Sequence, residues 1–272
     1  MKAREALTAA ALSLGAVSDT PRLDAELLMA HAMGLDRNTL LLSHLDTPSP
    51  TAFDPLVARR LAREPVAYII GTIDFWTITL RVAPGVLIPR PDSETLIEAA
   101  MTHFRGRSPS RILDLGTGSG ALLLAALTEW PEATGIGVDA SEVAISIARA
   151  NAATLGLAPR ATIQKGDWAD RLTEVFDLIL CNPPYVETSA ALAPEVLNEP
   201  HEALFAGEDG LDDYRRLAPQ IGPLLSPSGC AVIEIGATQA GPASALFKAA
   251  GFAVSLRKDL GRRDRCLVLT LT

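Results

Sequence analysis

Apolar positions recur at helical spacing through roughly the first seventy residues, then in shorter and denser runs to the end of the chain. Leu23, Leu27, Leu28 and His31 fall on one helix face, after Pro21 at a plausible first turn. Gly34 can stop that helix, and Leu35 to Leu45 predicts the next. Pro48 and Pro50 mark a loop, Phe53 to Arg63 suits a further helix, and Pro65 closes it. Short amphipathic pieces of this kind pack as a small helical bundle. The character changes at residue 71. Phe75 to Val82 is aromatic and β-branched, Pro84-Gly85 predicts a turn, and Val86-Leu87-Ile88 resumes, which reads as a β-hairpin.

From residue 92 helix and strand alternate. Ser93 to Phe104, Ser119 to Trp130, Ser141 to Leu155, Leu211 to Leu225 and Gln239 to Ala250 read as helices. Arg111 to Leu115, Thr134 to Asp139, Ala161 to Lys165, Phe176 to Cys181, Cys230 to Ile235, Phe252 to Leu256 and Cys266 to Leu271 read as strands. That alternation predicts a parallel-type sheet covered on both faces. The last two strands are joined by Lys258 to Arg265 with no helix between them. They should pair antiparallel, because a parallel return needs a long crossover. The expected organisation is a helical domain over 1–70, a hairpin linker over 71–90 and an α/β domain over 91–272.

Composition narrows the picture. Of 272 residues 48% are hydrophobic and 21% charged, enough for a large buried core. The formal net charge is −8, which argues against gripping a nucleic-acid backbone. The cluster Arg59, Arg60 and Arg63 reads as a solvated helix face. Cys181, Cys230 and Cys266 are odd in number, widely spaced and set in apolar runs, so buried thiols are expected rather than disulfides or a metal site. Lys2 and Arg4 before an Ala/Leu run loosely imitate a signal peptide. Glu5, Thr8 and Ser13 interrupt it, and Leu7, Ala11, Leu12 and Leu14 suit an amphipathic helix. No stretch approaches a membrane span, and the expected compartment is the cytoplasm.

Two loops carry the candidate chemistry. Ile112 to Leu115 runs into Gly116-Thr117-Gly118-Ser119-Gly120 and then a helix, a turn that lets a ligand approach the backbone closely. Gly116, Gly118 and Ala121 also fit the dinucleotide fingerprint. Asp139, about twenty residues on, is placed to accept from both hydroxyls of a ribose, or simply to cap the helix after it. Nucleotide cofactors and S-adenosylmethionine share that ribose. Asp167 and Trp168 end the third strand, where an acid could bond an adenine amino group and an indole could pack on the ring; a core tryptophan is the plainer alternative. The fourth strand ends in Asn182-Pro183-Pro184-Tyr185. Ligands in such sheets bind beyond the carboxyl ends of the strands, so this loop should lie beside the glycine loop.

Asp114 to Gly120 followed by Asn182 to Tyr185 resembles the amino-methyltransferases of the Rossmann-like class, which act on flat, conjugated nitrogens. Further segments are similar to the release factor glutamine N5-methyltransferase family: Leu87 to Glu94, Phe75-Trp76, Glu199-Pro200 with Ala203-Leu204, and Glu234 with Gly236. The resemblance weakens over residues 1–50, where Asp24 to Leu28 carries it. It implies a Rossmann-like seven-stranded methyltransferase sheet with an antiparallel last strand. It implies S-adenosylmethionine held by Gly116 to Gly120, Asp139, Asp167, Trp168 and Asn182. The substrate would be the Gly-Gly-Gln glutamine of class I peptide chain release factors, and the helical domain would help dock it. Asn182, Pro183, Pro184 and Tyr185 would receive the glutamine, with the Asn182 side-chain oxygen and Pro183 carbonyl accepting its N–H groups. The Tyr185 ring would cover the amide or help hold the sulfonium. No metal is implied. Arg90 and Asp92 are expected to form an ion pair, with Asp92 capping a helix. Rival readings are a ribosomal-protein glutamine methyltransferase, a nucleic-acid amino-methyltransferase, and an NAD-dependent dehydrogenase, which would leave Asn182 to Tyr185 unexplained.

Overall fold

The structure, a computed structural model, describes all 272 residues and divides into two compact units, 1–72 with 192–198 and 73–191 with 199–272. The first unit contains five helices: α1 (Ala3–Leu14), α2 (Pro21–Met33), α3 (Arg37–Ser43), α4 (Phe53–Leu61) and α5 (Val66–Ile70). Gly34 ends α2 in the left-handed conformation, φ +66°, as a glycine C-cap does. The buried faces differ from those the spacing predicts. On α1 the buried residues are Ala3, Ala6, Leu7, Ala10 and Leu14, while Leu12 is exposed. On α2 they include Leu28 and Met29 but not Leu23, because two carboxylates take inward positions. Asp24 accepts from Arg60 Nε at 2.8 Å, and Glu26 from Arg22 and Arg37. Paired in this way, charges can be buried, although Arg60 Nη1 is left without a hydrogen-bond partner. Arg60 is therefore an interior residue, 5% exposed, and not part of a solvated face. Arg59 does pair at the surface, with Glu64. The distant segment 192–198 completes this unit. Its Glu195 approaches Arg60 at 3.7 Å and Arg63 at 3.8 Å, and Asn198 Nδ2 donates to the Arg63 carbonyl at 3.2 Å.

At the start of the second unit lies a two-stranded ribbon, β1 (Thr72–Phe75) and β2 (Ile78–Arg81), of which Thr72 alone belongs to the first unit. The chain does turn at Pro84-Gly85, but the hairpin turns at Trp76-Thr77, and Val86–Ile88 forms no strand. Trp76 sits at φ +56°, a conformation that costs a non-glycine residue energy. Two long-range bonds hold it there: its N–H donates to Glu94 at 2.7 Å and its indole Nε1 to Glu129 at 2.6 Å. Val86–Ile88 is instead pinned by buried Glu199, which accepts from the Ile88 N–H at 3.0 Å and pairs with Arg90.

The elements that follow are α6 (Glu94–His103), β3 (Arg111–Leu115), α7 (Ala121–Glu129), β4 (Thr134–Asp139), α8 (Glu142–Thr154), β5 (Ala161–Lys165) and β6 (Phe176–Cys181). After them come α9 (Asp212–Ile221), β7 (Leu225–Glu234), α10 (Ala240–Ala249), β8 (Phe252–Lys258) and β9 (Asp264–Leu271). The seven-stranded sheet has the order β5-β4-β3-β6-β7-β9-β8. β3 to β7 run parallel, and β9 inserts antiparallel between β7 and β8. β3, β6 and the end of β7 are buried on both faces, which explains their mainly apolar sequences. One face packs Leu96, Leu123, Leu124 and Ile145 from α6, α7 and α8. The other packs Tyr214, Leu217, Ile221 and Phe247 from α9 and α10. All three cysteines are buried and free. The strand order reverses between β3 and β6, so the loops leaving these two strands flank the crevice where such sheets bind ligands.

Candidate active site

A cavity of about 310 Å³ opens at that reversal point. Its wall includes Gly116, Thr117, Gly118 and Ser119 from the loop after β3, Asp139 after β4, Asp167 and Trp168 after β5, and Asn182 and Pro184 after β6. The two loops are in close approach: a methyl group on Gly116 would lie 4.0 Å from the Asn182 carbonyl oxygen. Gly120, Pro183 and Tyr185 do not reach the cavity wall.

The glycine loop is fixed from beneath. Gly116, Gly118 and Gly120 all have positive φ, at +71°, +56° and +86°. The N–H groups of Gly116 and Thr117 both donate to the Val138 carbonyl at 2.9 Å. Asp114 accepts from the Thr117 hydroxyl at 2.6 Å and from the Leu123 N–H at 3.3 Å, and Asn151 Nδ2 donates to the Ser119 carbonyl at 2.8 Å. Burial is the main reason that the Asp114 carboxyl is pushed up to about 7; nearby Asp139 adds to the shift, and the bonds from Thr117 and Leu123 oppose it.

Asp139 joins the loops rather than capping a helix. Its Oδ2 accepts from the Gly118 N–H at 2.8 Å and its Oδ1 from the Ser141 N–H at 2.9 Å. The cap of α8 is Ser141, whose hydroxyl accepts from Ala144. A carboxylate oxygen has a second lone pair, so Asp139 retains capacity for two ligand hydroxyls. Trp168 stands at φ +51°, with its ring edge against Gly116 and its indole N–H donating to Asp213 at 3.2 Å. Asp167 is bonded at 2.7 Å through both oxygens to Arg216. The sequence reading did not single out Asp213 or Arg216, although both lie on the cavity wall. Their spacing of three residues at the start of α9 was the available signal.

Asn182 and Tyr185 sit differently. Asn182 Nδ2 donates to the Ser93 hydroxyl at 3.3 Å, which leaves Oδ1 as the amide atom for a ligand. Tyr185 points its hydroxyl at Glu234 Oε1, 3.2 Å away, and packs its ring on the α9–α10 side of the core. Burial and the adjacent Glu234 push the Tyr185 phenol well above its ordinary range. Glu234 is itself buried, and desolvation pushes it up to about 7 against the opposing effects of Ser93, Arg265 and Tyr185. The expected Arg90–Asp92 pair is absent. Arg90 binds Glu199 and the Ile88 carbonyl, while Asp92 pairs with Arg265 at 3.0 Å and caps no helix. A long-range partner of opposite charge has captured each of them.

The dimensions and donors suit a nucleoside-type ligand with a flat ring, a ribose and a charged tail. Gly116 supports this fit, because an added Cβ would come within 3.1 Å of the Trp168 ring. There is no cluster of three or more His, Cys, Asp or Glu side chains suited to a metal ion, and no helix is long and apolar enough to cross a membrane.

Comparison with known proteins agrees with this geometry. Residues 5–71 match the PrmC N-terminal domain family, and residues 107–247 match a methyltransferase domain family. A release factor glutamine methyltransferase of Rhodospirillum rubrum is 44% identical over 257 residues, covering 92% of this chain and 79% of its own. Its counterpart in Cereibacter sphaeroides is 44% identical over 274 residues and 97% of both chains. Among solved structures, a T. thermophilus 16S rRNA N2 G1207 methyltransferase in complex with AdoMet and guanosine superposes with a TM-score of 0.55 at 20% identity. That match covers 74% of this chain and 50% of the other, and it shows the shared methyltransferase fold.

Proposed function

The chain belongs to the release factor glutamine methyltransferase family, and on that premise we propose that it methylates the side-chain amide nitrogen, N5, of the Gly-Gly-Gln glutamine in class I peptide chain release factors. The observation that carries the reading is the meeting of the glycine loop and the Asn182–Pro184 loop around one cavity. S-adenosylmethionine, when bound, supplies the electrophilic methyl group. The backbone from Gly116 to Ser119 receives its amino-acid end, Asp139 its ribose, and Trp168 its adenine ring. Asp167, already paired with Arg216, lies at the adenine end.

A glutamine amide is a poor nucleophile because its lone pair is delocalised into the carbonyl. Asn182 Oδ1, on the cavity wall, accepts one of its N–H groups and holds the nitrogen facing the methyl group. That acceptor also favours the positive character that the nitrogen gains in the transition state. The paired prolines stiffen the loop and offer no competing N–H. Tyr185 supports that loop through Glu234 and is assigned to positioning. The helical unit, in the segment that matches the PrmC N-terminal domain, is assigned to docking the release factor. The work is that of a cytoplasmic enzyme, since release factors act there.

Mass spectrometry of an unmethylated release factor after incubation with the protein and S-adenosylmethionine tests the reading. One added methyl on the Gly-Gly-Gln glutamine is expected. Methylation of a ribosomal protein or of nucleic acid in its place would remove the substrate assignment and keep the chemistry.

A further inference from the structure

We propose that Ser93 and Glu234 are positioning residues that lock the Asn182 amide with Oδ1 toward the cavity, and so make the site select an amide over a carboxylate. The inference rests on the glutamine chemistry proposed above. An asparagine amide is nearly symmetric in shape, and only its neighbours decide which end is oxygen and which is nitrogen. With the oxygen facing the cavity, Asn182 welcomes a substrate NH₂. With the amide turned over, its NH₂ would repel that group and would welcome a carboxylate oxygen instead.

Three observations fix the orientation. Ser93 is only 3% exposed, so its single hydroxyl proton needs a protein acceptor. Its oxygen receives the Asn182 Nδ2 donor at 3.3 Å. Beside it lies Glu234, 1% exposed, whose Oε1 is taken by the Tyr185 hydroxyl at 3.2 Å and whose buried Oε2 has no hydrogen-bond partner. When Glu234 is ionised, its unpartnered Oε2 is the acceptor that draws the Ser93 proton, and the serine oxygen is then left only to accept. An acceptor at that point admits the NH₂ end of Asn182 and excludes the oxygen end. One carboxylate thus fixes both parts of the Asn182–Tyr185 loop, the tyrosine directly and the asparagine through Ser93. Three elements converge to build this: the turn before α6, the loop after β6 and the end of β7. The neighbouring Arg265 favours the charged form of Glu234, and Asp92, with which Arg265 is paired, opposes it.

The test compares the wild-type protein with Ser93→Ala, Ser93→Thr and Glu234→Gln. Turnover is measured on unmethylated release factor, with inhibition by the same factor carrying glutamate in place of the glutamine. Ser93→Ala is expected to lower kcat by roughly tenfold to a hundredfold, as other losses of an orienting partner do, while S-adenosylmethionine affinity stays within a few fold. Inhibition by the glutamate competitor should tighten, and Ser93→Thr, which keeps the hydroxyl, should restore both values. Glu234→Gln offers one side-chain oxygen to two donors, so it should shift selectivity in the same direction as Ser93→Ala. Lost turnover with an unchanged glutamine-to-glutamate preference in both variants would overturn the inference, and so would unchanged turnover. A wild-type protein that leaves the glutamine unmethylated is a different result: it removes the substrate reading and the inference with it.

Discussion

Asn182 carries the chemical argument at the scale of the residue. It stands on the cavity wall, and its amide faces Ser93 on one side and the ligand space on the other. Replacing it with alanine removes an acceptor that matters most when the substrate nitrogen is becoming positive. Turnover of Asn182→Ala should fall by roughly a hundredfold or more, while S-adenosylmethionine affinity, measured by calorimetry, stays within a few fold. Weak cofactor binding with near-normal single-turnover chemistry would contradict this role. Tyr185 shows how a single residue can be misread. The aromatic ring suggests a lid over a flat amide, but the hydroxyl finds a buried carboxylate and the ring follows it into the core.

At the scale of the element, the loop after β3 is a cradle made by missing side chains. Gly116 combines φ +71° with a close neighbour: a Cβ would meet the Trp168 ring at 3.1 Å, so the indole would have to give way. Gly116→Ala should weaken S-adenosylmethionine binding about tenfold or more through both backbone strain and displacement of the indole, as isothermal titration would read. An unchanged affinity would mean that the indole does not define the adenine end. The same loop was legible in the sequence, and so were β4, β5 and β6, whose observed limits coincide with those expected. Their signals are local: short stretches rich in apolar and β-branched residues, bounded by turn-forming residues. What was not legible depends on distant partners. Trp76 takes a turn conformation because Glu94 and Glu129 hold it, and no neighbour in sequence announces that. The inward face of α2 was hidden because Asp24 and Glu26 look solvent-facing until Arg60, Arg22 and Arg37 are in place. Ser93 went unnoticed for the same reason, since its role exists only where three elements meet.

At the scale of the whole molecule, the buried acids set a pH dependence. Glu234 has an ordinary value of 4.5 and stands at about 7 in the folded protein. Its neutral form is thus favoured by folding, and that contribution is complete below 4.5 and lost as pH rises through about 7. Glu234→Gln cannot ionise, so its stability relative to wild type should improve between pH 5 and pH 8, by a few kcal/mol at most. Thermal unfolding of both proteins at the two pH values checks this, and a constant difference would refute it. The seven residues 192–198 have a consequence of another kind. A chain made from its N-terminus onward usually folds its first domain first. Here Glu195 and Asn198, which serve Arg60 and Arg63, are synthesised only after the whole central strand β6 and the Asn182–Tyr185 loop have been made. The helical unit is begun before the α/β unit, yet its completion waits on the segment that follows the catalytic loop.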